Sequence, residues 1–269
     1  MLHDDHLRAE KTRRAWVAGM VLALAAELGG AVLIFTGHRT PGIIIAVLGI
    51  IGWMTARSLG GKRYTALCTE LRLRYGLGLR DMAPADAKAL GSSLPLFPLL
   101  PSDAENVTRP LMLHAWRGQW QERPVTISET TVGFGPDPKR RQFLTGTLLE
   151  IGTACSVPGL MAIYGQPYGG MPLSRWQGME HVSTGERKYL LLARTGTEVS
   201  EYTLDALAAF GSAEKSAIIW TEKERVFVFL PTQFYSGNWT LAQSMPESAM
   251  AADPLPALSD LPKLLKKLA

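Results

Sequence analysis

The sequence contains one acidic residue at a position where an ionised side chain is costly. Glu27 lies in the middle of a long apolar run, Trp16–Phe35. A carboxyl group inside a membrane-spanning segment either serves an ion or proton pathway or stays neutral and hydrogen-bonded to backbone or to a neighbouring subunit. The next apolar segment offers no basic or hydroxyl side chain near Leu48 and Gly49, where a partner would have to stand. The sequence therefore favours a structural Glu27, and it leaves the transport role open as the alternative.

The other reactive side chains form no known catalytic, metal-binding or phosphate-binding motif. Cys68 and Cys155 stand alone, without a CxxC pair or histidines at the spacing of a zinc site, and we expect them to be ordinary reduced thiols. The glycine-rich stretch 164–170 lacks the spacing of a phosphate-binding loop and is expected to be a connector. No cofactor and no metal site are implied. An enzyme, the less favoured interpretation, would assemble its site from scattered residues such as His114, Tyr164, Tyr168, Glu180 and His181.

Two apolar segments organise the chain that must position these residues. Trp16–Phe35 would span about 30 Å as a helix, which is the thickness of a bilayer's hydrocarbon core. The short loop 37–41 can only reverse the chain, and residues 43–56 are apolar again. The second run spans about 21 Å and would need an added turn, with Arg57 reaching the headgroups. The sequence predicts a transmembrane hairpin over residues 15–59. A cleaved signal peptide is disfavoured, because no small-residue cleavage site follows Phe35.

Positive charge flanks the hairpin and is almost absent from its loop, which carries only Arg39. By the positive-inside rule both termini are cytoplasmic and the loop faces out. The basic residues after the second segment, Arg57, Lys62 and Arg63, are candidate contacts to anionic headgroups. No stacking aromatic residues are interleaved with these charges, so nucleic-acid binding is not expected. The lipid bilayer is the first predicted partner.

Small residues recur along both segments at helical spacing. They are Gly19, Ala23, Ala26 and Gly30 in the first segment, and Gly42, Ala46, Gly49, Gly52 and Ala56 in the second. Such stripes let two helices approach closely in lipid. We expect them to pack the hairpin on itself. Contacts to a protein partner, or self-association through the hairpin, are the alternative.

The remaining chain predicts an α+β fold with a mostly antiparallel sheet and two helices. Its predicted parts are a basic leader, 1–14; juxtamembrane helices and a proline-rich connector, 60–110; the α+β domain, 111–240; and a linker with a basic amphipathic helix, 241–269. Strands are predicted at 111–117, 124–132, 143–151 and 160–164, with a hairpin at 216–221 and 226–230. Helices are predicted at 187–194, after a capping box at Ser183–Glu186, and at 198–210.

The last segment, 258–268, has five leucines on one helical face and three lysines, Lys263, Lys266 and Lys267, on the other. We predict an interfacial helix on the cytoplasmic leaflet, with the lysines at the membrane surface. Docking of the leucines on the protein's own domain is an equal alternative.

The order of these features resembles a known family. A basic leader and membrane hairpin precede Gly118–Val125 (Gly-x-Trp-x-x-Arg-Pro-Val), 143–146 (Phe-Leu-Thr-Gly) and 184–191 (Thr-Gly-Glu-Arg-Lys-Tyr-Leu-Leu). The chain is similar here to an uncharacterised bacterial two-helix inner-membrane family, domain of unknown function 3137. The resemblance implies this architecture and a multi-pass inner-membrane location. It implies no activity and no site residues.

Three functions follow as hypotheses. A membrane-anchored binding or scaffold module is favoured, since no catalytic constellation stands in the sequence. A subunit of an oligomeric channel or transporter that uses Glu27 is the second hypothesis. A membrane-tethered enzyme is the third.

Overall fold

The computed structural model describes residues 1–93, 107–108, 111–135, 137, 139, 142–165, 178–213, 216–234 and 239–269. Most of the predicted proline-rich connector, and Tyr168, lie outside these residues. The chain forms two compact units, Met1–Leu77 with Ser236–Pro254 and Gly78–Tyr235 with Leu255–Ala269. We call them the helical unit and the sheet unit. Two long apolar N-terminal helices followed by an antiparallel sheet with helices confirm the predicted α+β fold class.

The helices, in chain order, are α1 (Leu2–Phe35), α2 (Arg39–Thr55), α3 (Gly61–Tyr75), α4 (Ala87–Ser93), α5 (Glu201–Ala213), α6 (Glu247–Ala251) and α7 (Leu261–Leu268). The strands are β1 (Arg80–Pro84), β2 (Leu111–Trp120), β3 (Arg123–Phe134), β4 (Gln142–Gly152), β5 (Leu160–Tyr164), β6 (Met179–Val182), β7 (Tyr189–Arg194), β8 (Ala217–Thr221) and β9 (Arg225–Leu230).

The helical unit is built on α1 and on a nearly continuous second helix. A π-helical turn at Ala56–Gly60 joins α2 to α3, so the helix runs from Arg39 to Tyr75 and gains the length that the second apolar run lacked. The predicted leader is not a separate element, because α1 begins at Leu2. Asp4 and Asp5 lie in its first turn, where negative charge interacts favourably with the positive end of the helix dipole. By length and composition, both long helices could cross a membrane.

The sheet unit is one antiparallel sheet with the strand order β1-β2-β3-β4-β9-β8-β5-β7-β6. One core cluster includes Met161 and Ile163 of β5 with Leu148, Trp220 and Phe229. Side chains alternate along a strand, so the neighbouring Tyr164 points to the opposite face. There the Tyr164 hydroxyl donates to the carbonyl of Leu207, which fixes α5 on that face.

The helix predicted at 187–194 is wrong, since the structure has β7 there. β7 pairs with β5 on one side and with β6 on the other. Consecutive residues of β7 are buried, so both faces of this strand are covered. Its apolar run is therefore continuous and lacks the alternation that would distinguish a strand from a helix. The predicted capping box is a turn, with Gly185 at φ +61°.

Two edge strands were not predicted from the sequence. β1 and β6 are only five and four residues long and are largely exposed. Neither contains an apolar run from which a strand could be predicted. Because β1 pairs with β2, the sheet begins at Arg80 rather than at Leu111. The predicted helix at 198–210 is present as α5, shifted to Glu201–Ala213.

The C-terminal helix packs on protein. Leu261, Leu264, Leu265 and Leu268 of α7 are each at most 2% exposed within the sheet unit. The prediction that this leucine face lies on the membrane is therefore wrong, and the alternative of docking on the protein's own domain holds. An amphipathic pattern reports an apolar surface next to the helix, and it does not distinguish lipid from protein.

Candidate functional site

The two apolar helices pack so closely that their small residues are required. A Cβ atom added at Gly30 would lie 2.5 Å from the backbone nitrogen of Ala46, and one at Gly49 would lie 2.7 Å from the carbonyl oxygen of Ala23. Gly42 is equally tight, with the carbonyl oxygen of Gly30 at 2.7 Å from its added Cβ. These three glycines thus pack the hairpin on itself, as predicted, whereas a Cβ atom at Gly19 would meet no atom within 4 Å.

The outward sides of the hairpin expose large apolar side chains along its length. They are Val21, Leu22, Leu24, Leu28, Val32, Phe35, Ile43, Ile44, Val47, Leu48, Ile50, Ile51 and Met54. A soluble monomer rarely exposes so continuous an apolar surface, whereas a bilayer or a partner surface would cover it. This surface and the spanning length of both helices are compatible with a membrane anchor.

Glu27 lies at the edge of the packed stripe. The backbone of Glu27 packs directly against Gly49 of α2, and the Glu27 side chain is half-buried. Within the part of the chain that the structure describes, the Glu27 carboxyl makes no hydrogen bond and no ion pair.

A second carboxyl, Glu10, is buried at the base of the hairpin and was not predicted as a site. Arg13 donates to both carboxylate oxygens, at 3.0 to 3.2 Å. The hydroxyls of Tyr64 and Ser244 donate to Oε1 at 3.3 and 2.5 Å. Arg13 also donates to the carbonyl of Leu241 at 3.0 Å. This Glu10 network joins α1, α3 and the segment 239–251, and its one sequence signal is the i, i+3 spacing of Glu10 and Arg13.

The Glu10 network favours the ionised carboxylate of Glu10, whereas burial favours the neutral thiol of the nearby Cys68. Burial acts to raise the pKa of Glu10, but the hydrogen bonds from Arg13, Ser244 and Tyr64 outweigh it and hold that pKa below its usual value. Burial raises the pKa of the Cys68 thiol to about 11. A neutral, buried thiol is a poor nucleophile, so Cys68 is a packing residue.

A polar pocket of about 690 Å³ opens in the sheet unit where β1, the β2–β3 hairpin and α7 meet. Three cations from these elements line it: Arg80, Arg123 and Lys266. Gln119, Gln121 and Glu122 complete the polar lining. We call this the cationic pocket. Of its residues only Lys266 was a sequence-predicted contact, because the other positions come together only through the sheet.

The structure keeps the residues of the predicted enzyme site apart. His114 lies on β2 and His181 with Glu180 on β6, and six strands stand between them in the sheet. Burial lowers the pKa of His114. Tyr164 is committed to its bond with α5. Among the described residues, no group of three or more His, Cys, Asp or Glu side chains could hold a metal ion.

The predicted headgroup contacts have varied surroundings. Arg57 and Arg63 stack over Trp53 and Trp16, at 5.1 and 5.8 Å from the ring centres, and Lys62 is exposed. On α7, Lys263 pairs with Asp260 at 2.8 Å, and Lys267 lies 5.2 Å from the ring centre of Tyr202. Lys266 is the one of the three that faces the cationic pocket.

Comparisons with known proteins identify no family for this chain. No family model matches it, and no curated protein matches it. The crystal structure of the mycobacterial trehalose monomycolate transport factor A, TtfA, is similar over 75% of this chain and 96% of that chain, with 13% sequence identity and a TM-score of 0.38. A likeness at this level carries no argument about function. The resemblance to the bacterial two-helix family remains a prediction.

Proposed function

We propose that this protein is a bacterial inner-membrane binding or scaffold module. Its hairpin crosses the bilayer twice, both termini are cytoplasmic, and the sheet unit presents the binding surfaces in the cytosol. The observation that carries the proposal is the hairpin itself, whose inner side is closed by small residues and whose outer sides expose large apolar ones. The excess of basic residues on both flanks supports the orientation.

The proposal predicts that the intact protein behaves as an integral membrane protein. Membranes from cells expressing the full chain would be washed with alkaline carbonate and then with neutral detergent. We expect the protein to stay in the pellet through carbonate and to enter the supernatant only with detergent, because its apolar surface is solvated by lipid. Release by carbonate alone would contradict the proposed anchor.

A subunit of an oligomeric channel or transporter is the second candidate. One observation favours it, the half-buried Glu27 carboxyl that has no partner among the described residues. Two helices cannot enclose a pore, so this function requires several copies with Glu27 at their interface. An uncharged Glu27 that faces a neighbouring chain's backbone would also suit a scaffold that self-associates.

The substitution Glu27→Gln separates the two candidates, because the amide keeps the size and hydrogen bonding of a neutral carboxyl but cannot carry a proton. If the hairpin is only an anchor, we expect the variant to insert into the membrane. Its free energy of unfolding should lie within about 0.5 kcal/mol of that of the wild type. Protein in liposomes should show no proton or cation flux. A flux through the wild-type protein that is absent from a normally inserted Glu27→Gln variant would contradict the anchor and support the channel.

A further inference from the structure

The cationic pocket brings together charges that the fold does not neutralise. Within the described residues, the side chains of Arg80, Arg123 and Lys266 make no hydrogen bond and no ion pair. Two other arginines of the sheet unit are paired. Arg187 pairs with Glu201 and Asp205 at 2.7 and 2.6 Å. Arg225 pairs with Glu150 and Glu222 at 2.9 and 2.8 Å. Three cations and one carboxylate, Glu122, line the pocket, so positive charge is in excess there, and an anion would relieve the repulsion among the cations.

Two residues beside the cationic pocket have a strained backbone conformation. The β2–β3 hairpin turns at Gln121 and Glu122, whose φ angles are +49° and +64°. Such turns usually take Asn-Gly, because other residues are strained in the left-handed region. Gly118 lets β1 approach, since a Cβ there would lie 2.7 Å from the carbonyl oxygen of Arg80. Strain that persists at a pocket is typical of a binding site, where the side chains must point at a ligand.

The chemistry of the lining narrows the ligand to one class. Two guanidinium groups and an ammonium suit the several oxygens and the charge of a phosphate better than a single carboxylate. Gln119, Gln121 and the Glu122 carboxylate can accept hydrogen bonds from alcohol hydroxyls, which the polyol part of a phosphate ester supplies. The volume of about 690 Å³ is that of a small-molecule site. Among the described residues, no aromatic side chain lines the pocket for base stacking, which disfavours a nucleic acid.

We infer that the cationic pocket of the sheet unit binds a phosphate ester that carries hydroxyl groups. The inference rests on the proposed function, because it gives the binding module its ligand. Arg80 and Arg123 hold the phosphate oxygens, Lys266 adds charge, and Glu122 accepts from a hydroxyl. Such a group occurs in soluble phosphorylated polyols and in the headgroups of anionic glycerophospholipids.

The test uses the full chain in neutral detergent micelles, with glycerol 3-phosphate as the probe in calorimetric titrations. We expect binding that weakens at high salt and falls about tenfold or more in each of Arg80→Gln and Arg123→Gln. Lys263→Gln is the matched control. It makes the same charge change one turn away on α7, outside the pocket, and should bind like the wild type. Inorganic phosphate should bind more weakly than the probe, because it lacks the alcohol hydroxyls of the glycerol part.

Nanodiscs then identify the source of the ligand. Reduced probe binding in phosphatidylglycerol discs, relative to phosphatidylcholine discs, would assign the pocket to a lipid headgroup. Equal binding in both would assign it to a soluble ester. The inference is overturned if the wild type does not bind the probe, or if a folded Arg80→Gln/Arg123→Gln protein binds it equally. Either failure would leave membrane retention in carbonate intact, so the anchor and the ligand are tested separately.

Discussion

Gly30→Val is expected to force α1 and α2 apart. Even the Cβ atom would lie 2.5 Å from the Ala46 nitrogen and 2.6 Å from the Gly42 carbonyl oxygen, both backbone atoms that cannot turn aside. Overpacking of this kind costs about 1–3 kcal/mol or more. The measurement is the thermal unfolding of the full chain in neutral detergent, where we expect a lower midpoint and loss of any crosslink engineered between the helices.

Gly29→Val is the matched control for this experiment. Gly29 is the neighbouring residue on the same helix, and a Cβ atom there would meet no atom within 4 Å. Both variants change the helix propensity of α1 equally, so their difference isolates the helix–helix contact. If the two variants unfold at the same temperature, the close packing of the hairpin is not what holds it together.

Glu10→Leu is expected to destabilise the helical unit by about 3–5 kcal/mol. The substitution removes the carboxylate that accepts from Arg13, Tyr64 and Ser244, and it leaves Arg13 buried, with a side chain only 19% exposed. An uncompensated buried charge is what makes such a break costly. Hydrogen exchange should rise in the segment 241–251, because Arg13 and Tyr64 bond Leu241 and Met245 there.

The pH dependence of this effect has a definite sign. Because the folded-state pKa of Glu10 is held below its usual value, its stabilisation is present above the unfolded-state pKa of about 4.3 and is lost as the pH falls through the folded-state pKa. The difference between wild type and Glu10→Leu should therefore be constant above that unfolded-state pKa and should narrow as the pH falls below it.

Two variants complete the Glu10 experiment. Glu70→Leu removes a half-exposed carboxylate that pairs with Arg74, and should cost no more than about 1 kcal/mol. Glu10→Leu/Arg13→Leu should recover part of the loss, since no buried charge then remains unpaired. An equal cost for Glu10→Leu and Glu70→Leu would show that the Glu10 network does not join the hairpin to segment 239–251.

Sequence patterns predicted those helices and strands that are determined by neighbouring residues. The length of the run Trp16–Phe35 and the small residues around Gly30 were enough to predict two packed helices. The β-branched and aromatic residues of β2 and β3 likewise predicted strands. Where burial is on both faces, as in β7, the apolar run lost its periodicity and was assigned to a helix.

The candidate sites depend on contacts that no spacing reveals. Glu10 meets Ser244 across 234 positions. Arg80, Arg123 and Lys266 converge only because β1 pairs with β2 and α7 docks on the sheet unit. Their sequence neighbours carry no motif for a charged pocket. The leucines of α7 were recognised as an apolar face, but only the fold shows what covers them.

Reporter fusions test the membrane hairpin most directly. Alkaline phosphatase, active only outside the cytoplasm, and a fluorescent protein, active inside, would each be fused after Phe35 and after Lys62. We expect phosphatase activity at Phe35 alone and fluorescence at Lys62 alone, because the first helix exports the chain and the second returns it. Phosphatase activity after Lys62 would place the sheet unit outside the cytoplasm and contradict the proposed topology.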